Sequence, residues 1–85
     1  MLTYNEELEI KAFQKQMFKV LDLKSNEKLS WLKCDIGSDI GISLHNQFIK
    51  LESAIYNDRR DNEEIRRRAI HVANYCMMVW SLSSD

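Results

Sequence analysis

Apolar residues recur at three- and four-residue spacing in three blocks of the 85-residue chain, the period that lines side chains along one stripe of an α-helix. In the first block, Leu8, Ile10, Phe13, Met17, Val20 and Leu21 predict a helix from about Asn5 to Leu23, ended by the polar run KSNEK. In the second, Ile40, Leu44, Phe48, Leu51 and Ile55 share one face of a helix from about Ser38 to Tyr56, closed by NDRRD. In the third, Ile65, Ala69, Val72, Ala73, Cys76 and Trp80 form the expected buried stripe of a helix opening at Asp61. Asp61 is followed three residues on by Glu64, the spacing of a capping box. The stretch DIGSDIGI holds both glycines and reads as a loop, because Gly37 and Gly41 admit backbone angles that other residues avoid. Just before it, LSWLK predicts a short turn that plugs Trp31 into the core, and the tail SLSSD is expected to fray.

Composition sharpens this into a fold class. With no proline and two glycines, an almost all-α chain is the simplest reading. A chain this short buries only roughly 60% of the surface its unfolded form exposes, yet 45% of its residues are apolar. The expected architecture is therefore a single domain over residues 1–85, an all-α helical hairpin or three-helix unit. It is expected to assemble into a four-helix-bundle-type homo-oligomer, a dimer or tetramer, because three short helices leave an apolar face uncovered.

Charge and cysteine usage exclude more than they assign. Twelve basic and 13 acidic residues leave a net charge of −1, with no bulk signal for nucleic acid or a membrane surface. Arg59, Arg60, Arg66, Arg67 and Arg68 cluster, but Asp58, Asp61, Glu63 and Glu64 sit among them, which is the pattern of a solvated mixed-charge face. Cys34 and Cys76 are far apart and lack a CxxC neighbour, so a reduced, cytoplasmic compartment is expected. No signal peptide or long apolar run is present, and no membrane partner is expected. No Ser-His-Asp set, glycine-rich phosphate loop or zinc pattern is present, and no cofactor is implied. His45 is expected at the surface, and Cys76, Met77 and Met78 in the core.

The chemistry is concentrated in EEIRRRAIHVANYCMMVW, residues 63–80. Here an arginine-rich first turn ending at Arg68 is followed by a nearly apolar body that carries His71 and Asn74, and buried polar groups are costly without partners. Together with FQKQMFKVLDLKSNEKLSW and LHNQFIKLESAI, this stretch resembles the all-α nucleoside triphosphate pyrophosphohydrolases of the MazG-like group. The likeness runs over nearly the whole chain. LHNQFIKLESAI stands where that family has its EExxE helix, and EEIRRRAIHVANYCMMVW where it has an ExxD helix followed by Ala-Asn and an apolar run. Seventeen residues lie between Lys50 and Arg68, in keeping with the family's paired helices.

The resemblance implies carboxylates that hold magnesium, a hard cation that takes oxygen ligands and activates water against a polyphosphate. This chain has Asn46, Gln47 and Lys50 at the EExxE positions, and Arg68 and His71 at the ExxD positions. None is a carboxylate. Moving the register finds Glu52, Glu63 and Glu64 without restoring two facing acidic pairs, and Glu64 is better matched to Arg68 as an i,i+4 surface pair. The implied protein is an inactive relative with no metal site and no catalytic residue. Its basic cleft would bind a phosphorylated nucleotide or cyclic oligonucleotide through Lys50, Arg68, His71, Asn74, Gln47, Lys28 and Trp31, since Arg and Lys neutralise phosphate directly. Such a frame without its chemistry suits a viral anti-defence factor that sequesters a host nucleotide signal. The alternative is an interaction protein that inhibits a host or defence protein through its helical surface, with the cleft irrelevant.

Overall fold

In the computed structural model of the protein, residues 1–24 and 31–83 are described. Helix α1 spans Tyr4–Lys24, α2 spans Ile42–Ile55 and α3 spans Asn62–Leu82. A short 3-10 turn covers Trp31–Lys33, and a π-helical segment covers Ile36–Gly41. No strand occurs among the described residues. The all-α expectation and the three-helix count hold.

Each helix start has a local cause. The backbone N–H of Thr3 donates to Glu6 Oε1 at 2.9 Å, and the Glu6 N–H donates to Thr3 Oγ1 at 3.1 Å. That is a complete capping box, and its hydrogen bonds hold the Glu6 carboxyl below its ordinary value, the Thr3 backbone N–H contributing most. At α3, Asp61 Oδ1 accepts from the N–H groups of Glu63 and Glu64 at 3.0 and 3.4 Å. Asp61 is the expected N-cap. The reciprocal half of the expected box is replaced, because the Glu64 carboxylate instead accepts from Arg67 and Arg68.

The glycine stretch is helical rather than a loop. Neither glycine takes a positive φ, so the expected need for unusual backbone angles is corrected. Asp35 Oδ2 accepts from the Gly37 N–H (3.0 Å), the Ser38 N–H (2.8 Å) and Ser38 Oγ (3.0 Å). Those bonds hold the Asp35 carboxyl below its ordinary value, Ser38 contributing most. Asp39 Oδ2 in turn accepts from the Asp35 N–H at 2.8 Å. The carbonyl of Asp35 accepts from both the Asp39 N–H at 3.2 Å and the Ile40 N–H at 3.1 Å, the wider ring of a π-turn. A Cβ on Gly41 would sit 3.0 Å from the Ile36 carbonyl oxygen. Gly41 thus leaves room for a close backbone approach, and the π-segment runs directly into α2.

Helix α3 is the axis of the fold. It packs against α2, α1, the π-segment and the 3-10 turn. The core along it is thin. Ile40, Ile70 and Met78 are the buried apolar side chains among the described residues, with Asn74 buried between them. Spacing of 4 from Ile70 to Asn74 to Met78 marks the true inner stripe. The expected stripe was rotated from it: Cys76 is exposed and Trp80 is 78% exposed, while Ile65, Ala69, Val72 and Ala73 flank the core half-buried. From Ala69 to Trp80 helix α3 is apolar on most sides, so periodicity there does not by itself select a face. Phe48 on α2 is exposed, with Leu44, Leu51 and Ile55 half-buried. On α1, Met17, Val20 and Leu21 are half-buried, whereas every residue from 1 to 16 is exposed.

The radius of gyration is 14.3 Å, against about 12 Å for a compact domain of this length. The accessible surface is 7107 Å², against about 5,300 Å² expected for a compact monomer of this mass. Among the described residues no helix is long and apolar enough to cross a membrane.

Candidate functional site

The antiparallel hairpin of α2 and α3 carries the candidate site. On α2, Gln47, Lys50 and Ala54 recur at helical spacing, and on α3 Glu64 and Arg68 are one turn apart. Side chains at i and i+4 share a face. A groove of about 330 Å³ opens there, lined by Ile49, Lys50, Ser53, Ala54, Asn57, Glu64 and Arg68. That size is at the low end for ligand sites, which run roughly 300–1,000 Å³.

Arg68 is fixed rather than loose. Its Nε donates to Glu64 Oε1 at 2.7 Å, and Nη1 donates across the hairpin to Gln47 Oε1 at 3.2 Å. Its side chain retains 20% exposure. The hydrogen bond from Arg68 is the main reason that the Glu64 carboxyl is held below its ordinary value, Arg67 adding a second ion pair. The expected i,i+4 pair of Glu64 and Arg68 is therefore present. Lys50 lines the same groove, and no ion pair to it occurs among the described residues. Lys50 and Arg68 give the groove two positive charges against one from Glu64. Ser53 and Asn57 add a hydroxyl and an amide, both capable of donating to an oxyanion.

The remaining expected contacts separate from this groove. Asn74 faces α1: its Nδ2 donates to the Met17 carbonyl at 3.4 Å, and its Oδ1 is buried without a hydrogen-bond partner among the described residues. Asn74 is 3% exposed, so it acts as a core amide on the α1 side of α3. His71 is half-buried and engaged, and it does not line the groove. Trp31 is half-buried in the 3-10 turn that packs on α3. Lys28 lies outside the described residues. Asn46 is exposed on α2, away from the groove lining. The structure thus brings together Gln47, Lys50 and Arg68, and sets Asn74 apart from them.

Three polar groove residues were missed in the sequence. Ser53 and Asn57 follow Lys50 at three- and four-residue steps, which is a signal the chain did carry. Glu64 was recognised as the partner of Arg68 but not as a wall of the groove. Among the described residues no three His, Cys, Asp or Glu side chains gather in a way that would hold a metal ion. No protein-family model matches the chain, and no curated protein or solved structure is significantly similar to it.

Proposed function

We propose that the chain acts by binding, and that the α2–α3 groove takes a phosphate-bearing ligand such as a nucleotide without cleaving it. The observation that carries this reading is the shared groove of Lys50 and Arg68, in which the Lys50 ammonium has no counter-ion among the described residues. Arg68 is pre-oriented by Glu64 and Gln47, which lowers the ordering cost of meeting an anion. The one carboxylate in the groove, Glu64, is committed to two arginines, so it is poorly suited to hold a divalent ion or to take a proton. This is the arrangement expected of a pyrophosphohydrolase-like frame that has exchanged its acids for Gln47, Lys50 and Arg68. His71, Asn74 and Trp31 drop out of the ligand shell in this reading. The chain would work as a bundle-type homo-oligomer, as its uncovered apolar surface favours.

Contacts in an open groove are individually weak, about 0–1 kcal/mol per exposed ion pair, so affinity for a bare phosphate is expected in the millimolar range. Thermal unfolding in EDTA with pyrophosphate or a nucleoside triphosphate tests the reading. A ligand at about 100 times its dissociation constant stabilises the fold by roughly 2.7 kcal/mol. The shift is expected in the wild type and lost in Lys50→Glu, whose exposed side chain the fold does not use. No shift, or an equal shift in that variant, overturns the reading.

A second reading, interaction with another protein through the helical surface, is favoured by a different observation. Phe18, Leu32, Ile42, Phe48 and Trp80 are each at least half exposed. Charge reversal at Lys50 would then be silent in a binding assay with that protein.

A further inference from the structure

We infer that the α2–α3 groove selects a single phosphomonoester carried on a hydroxylated body, a sugar phosphate, over di- and triphosphates. The inference rests on the groove reading above and names the ligand class that reading leaves open.

The cationic part of the groove is small and does not continue. Lys50 and Arg68 supply two positive charges, while Glu64 is also paired with Arg67 outside the groove. A phosphomonoester carries about −1.5 to −2 at pH 7, so the two cations balance one such group. Beyond Arg68, α3 has no Lys or Arg over residues 69–82, and α2 has none over residues 42–49. His45 and His71 do not line the groove.

The other direction is closed to a second phosphate by charge. The Arg68–Gln47 hydrogen bond fixes the register of the hairpin. Glu64 therefore lies one turn nearer the α2–α3 connection, the side on which Ser53 and Asn57 also lie. In that connection Arg59 and Arg60 are matched by Asp58 and Asp61. A polyphosphate extended this way meets the Glu64 carboxylate and gains no further net positive charge. Like charges set against each other are costly.

The same residues suit hydroxyl groups. Ser53 follows Lys50 about 4.5 Å further along the helix axis, and its hydroxyl both donates and accepts. Asn57 is pre-oriented, because its Oδ1 accepts from the Arg59 N–H at 2.9 Å. That bond leaves the amide N–H groups for a ligand oxygen. The Glu64 carboxylate accepts from Arg67 and Arg68, and a carboxylate has lone pairs left for a hydroxyl proton. A nucleobase gains less, since bases are held largely by stacking on aromatic faces. No aromatic residue lines the groove, whose apolar contacts are Ile49 and Ala54.

Amide chemical-shift titrations of the full chain test this, in EDTA at neutral pH and fixed ionic strength. The probes are inorganic phosphate, ribose 5-phosphate, pyrophosphate and ATP, and the same spectra show that each variant is folded. Ribose 5-phosphate is expected to bind about three- to tenfold tighter than inorganic phosphate, the return of one added hydrogen bond. It is also expected to outrank pyrophosphate and ATP, despite their greater charge. Ser53→Ala removes the hydroxyl, and Asn57→Asp keeps an acceptor for the Arg59 N–H while removing the amide donors. Each is expected to cut the ratio of ribose 5-phosphate to inorganic phosphate affinity. No binding by any probe, or binding unchanged in Lys50→Glu, overturns the groove reading and this inference together. Binding that Lys50→Glu abolishes but that ranks pyrophosphate or ATP first, or the two monophosphates level, overturns this inference alone. So does a ratio that survives both Ser53→Ala and Asn57→Asp.

Discussion

Arg68 and Gln47, 21 residues apart in sequence, are joined by a hydrogen bond of 3.2 Å across the α2–α3 hairpin. Glu64 holds the same guanidinium from below. A side chain that bridges two helices and also lines a groove couples the packing of the hairpin to the shape of its candidate site. Arg68→Met keeps the apolar stem and removes the donors. It is expected to destabilise the fold by about 0.5–1.5 kcal/mol, a drop in Tm of several degrees for a domain of this size. Gln47→Ala is expected to cost less. A double-mutant cycle between the two checks the coupling, with an interaction energy of about 0.5 kcal/mol expected and additivity as the contrary result.

The acid side of the stability curve reports on Glu64. Its carboxyl is held below the ordinary value of 4.5, chiefly by Arg68. The folded state therefore favours the ionised form. Its contribution is complete above the unfolded value and is lost as pH falls through the lowered folded value. Glu6 and Asp35 are shifted the same way by Thr3 and Ser38, so the wild type is expected to lose stability on acidification at three places. Thermal melts between about pH 7 and pH 3 of the wild type and Glu64→Gln separate this one. The variant is expected to lie below the wild type at neutral pH and to converge with it at the acid end. Parallel curves would show that Glu64 adds nothing through its charge.

What the sequence made legible follows from how local each feature is. Three helices, the Asp61 cap and the Glu64–Arg68 pair depend on residues within one turn of each other, and all were readable. The inner stripe of α3 was not, because its second half, from Ala69 to Trp80, is apolar on most sides and presents several near-equivalent stripes. Tertiary neighbours chose the one through Ile70, Asn74 and Met78, and the polar residue at its centre hid it. DIGSDIGI was misread for a different reason. Glycine and aspartate are turn residues in isolation, but Asp35 spends its carboxylate on the N–H groups of Gly37 and Ser38, which starts a helix. At the candidate site, Lys50 and Arg68 were placed together only by the resemblance and its paired helices, since spacing within each helix does not state how two helices pack. Asn74 was misplaced because its face depends on where α1 lies, and no local pattern states that.

Replacing each glycine by alanine distinguishes the two positions. Gly37 has ordinary space, its nearest neighbour to a Cβ being Asp35 Oδ2 at 3.5 Å, and its φ is not positive. Gly37→Ala is therefore expected to stabilise by about 0.4–1 kcal/mol, through the restricted unfolded chain. At Gly41 the Cβ would meet the Ile36 carbonyl oxygen at 3.0 Å, a backbone atom held inside the same segment. That contact opposes the same entropic gain, so Gly41→Ala is expected to be neutral or destabilising. Urea unfolding of both variants checks the contrast; equal gains at the two sites would show that the π-segment relaxes without cost.

Asn74 offers the sharpest test of the core. Its Nδ2 reaches the Met17 carbonyl at 3.4 Å, a long bond, and its Oδ1 is buried without a partner among the described residues. An unpaired buried acceptor costs about 1–3 kcal/mol, more than the roughly 1 kcal/mol that a single neutral hydrogen bond returns. Asn74→Leu keeps the branched skeleton of the amide with two bulkier methyl groups and no polar atoms, and it extends the apolar run from Ile70 to Met78. It is expected to raise stability by about 1 kcal/mol. Asn74→Ala removes the same polar atoms but leaves a void against α1, so it is expected to destabilise by about 1 kcal/mol or more. Denaturant unfolding of both variants decides between the accounts. If Asn74→Leu is less stable than the wild type, the amide is satisfied in solution, and its bond to α1 outweighs the cost of burying it.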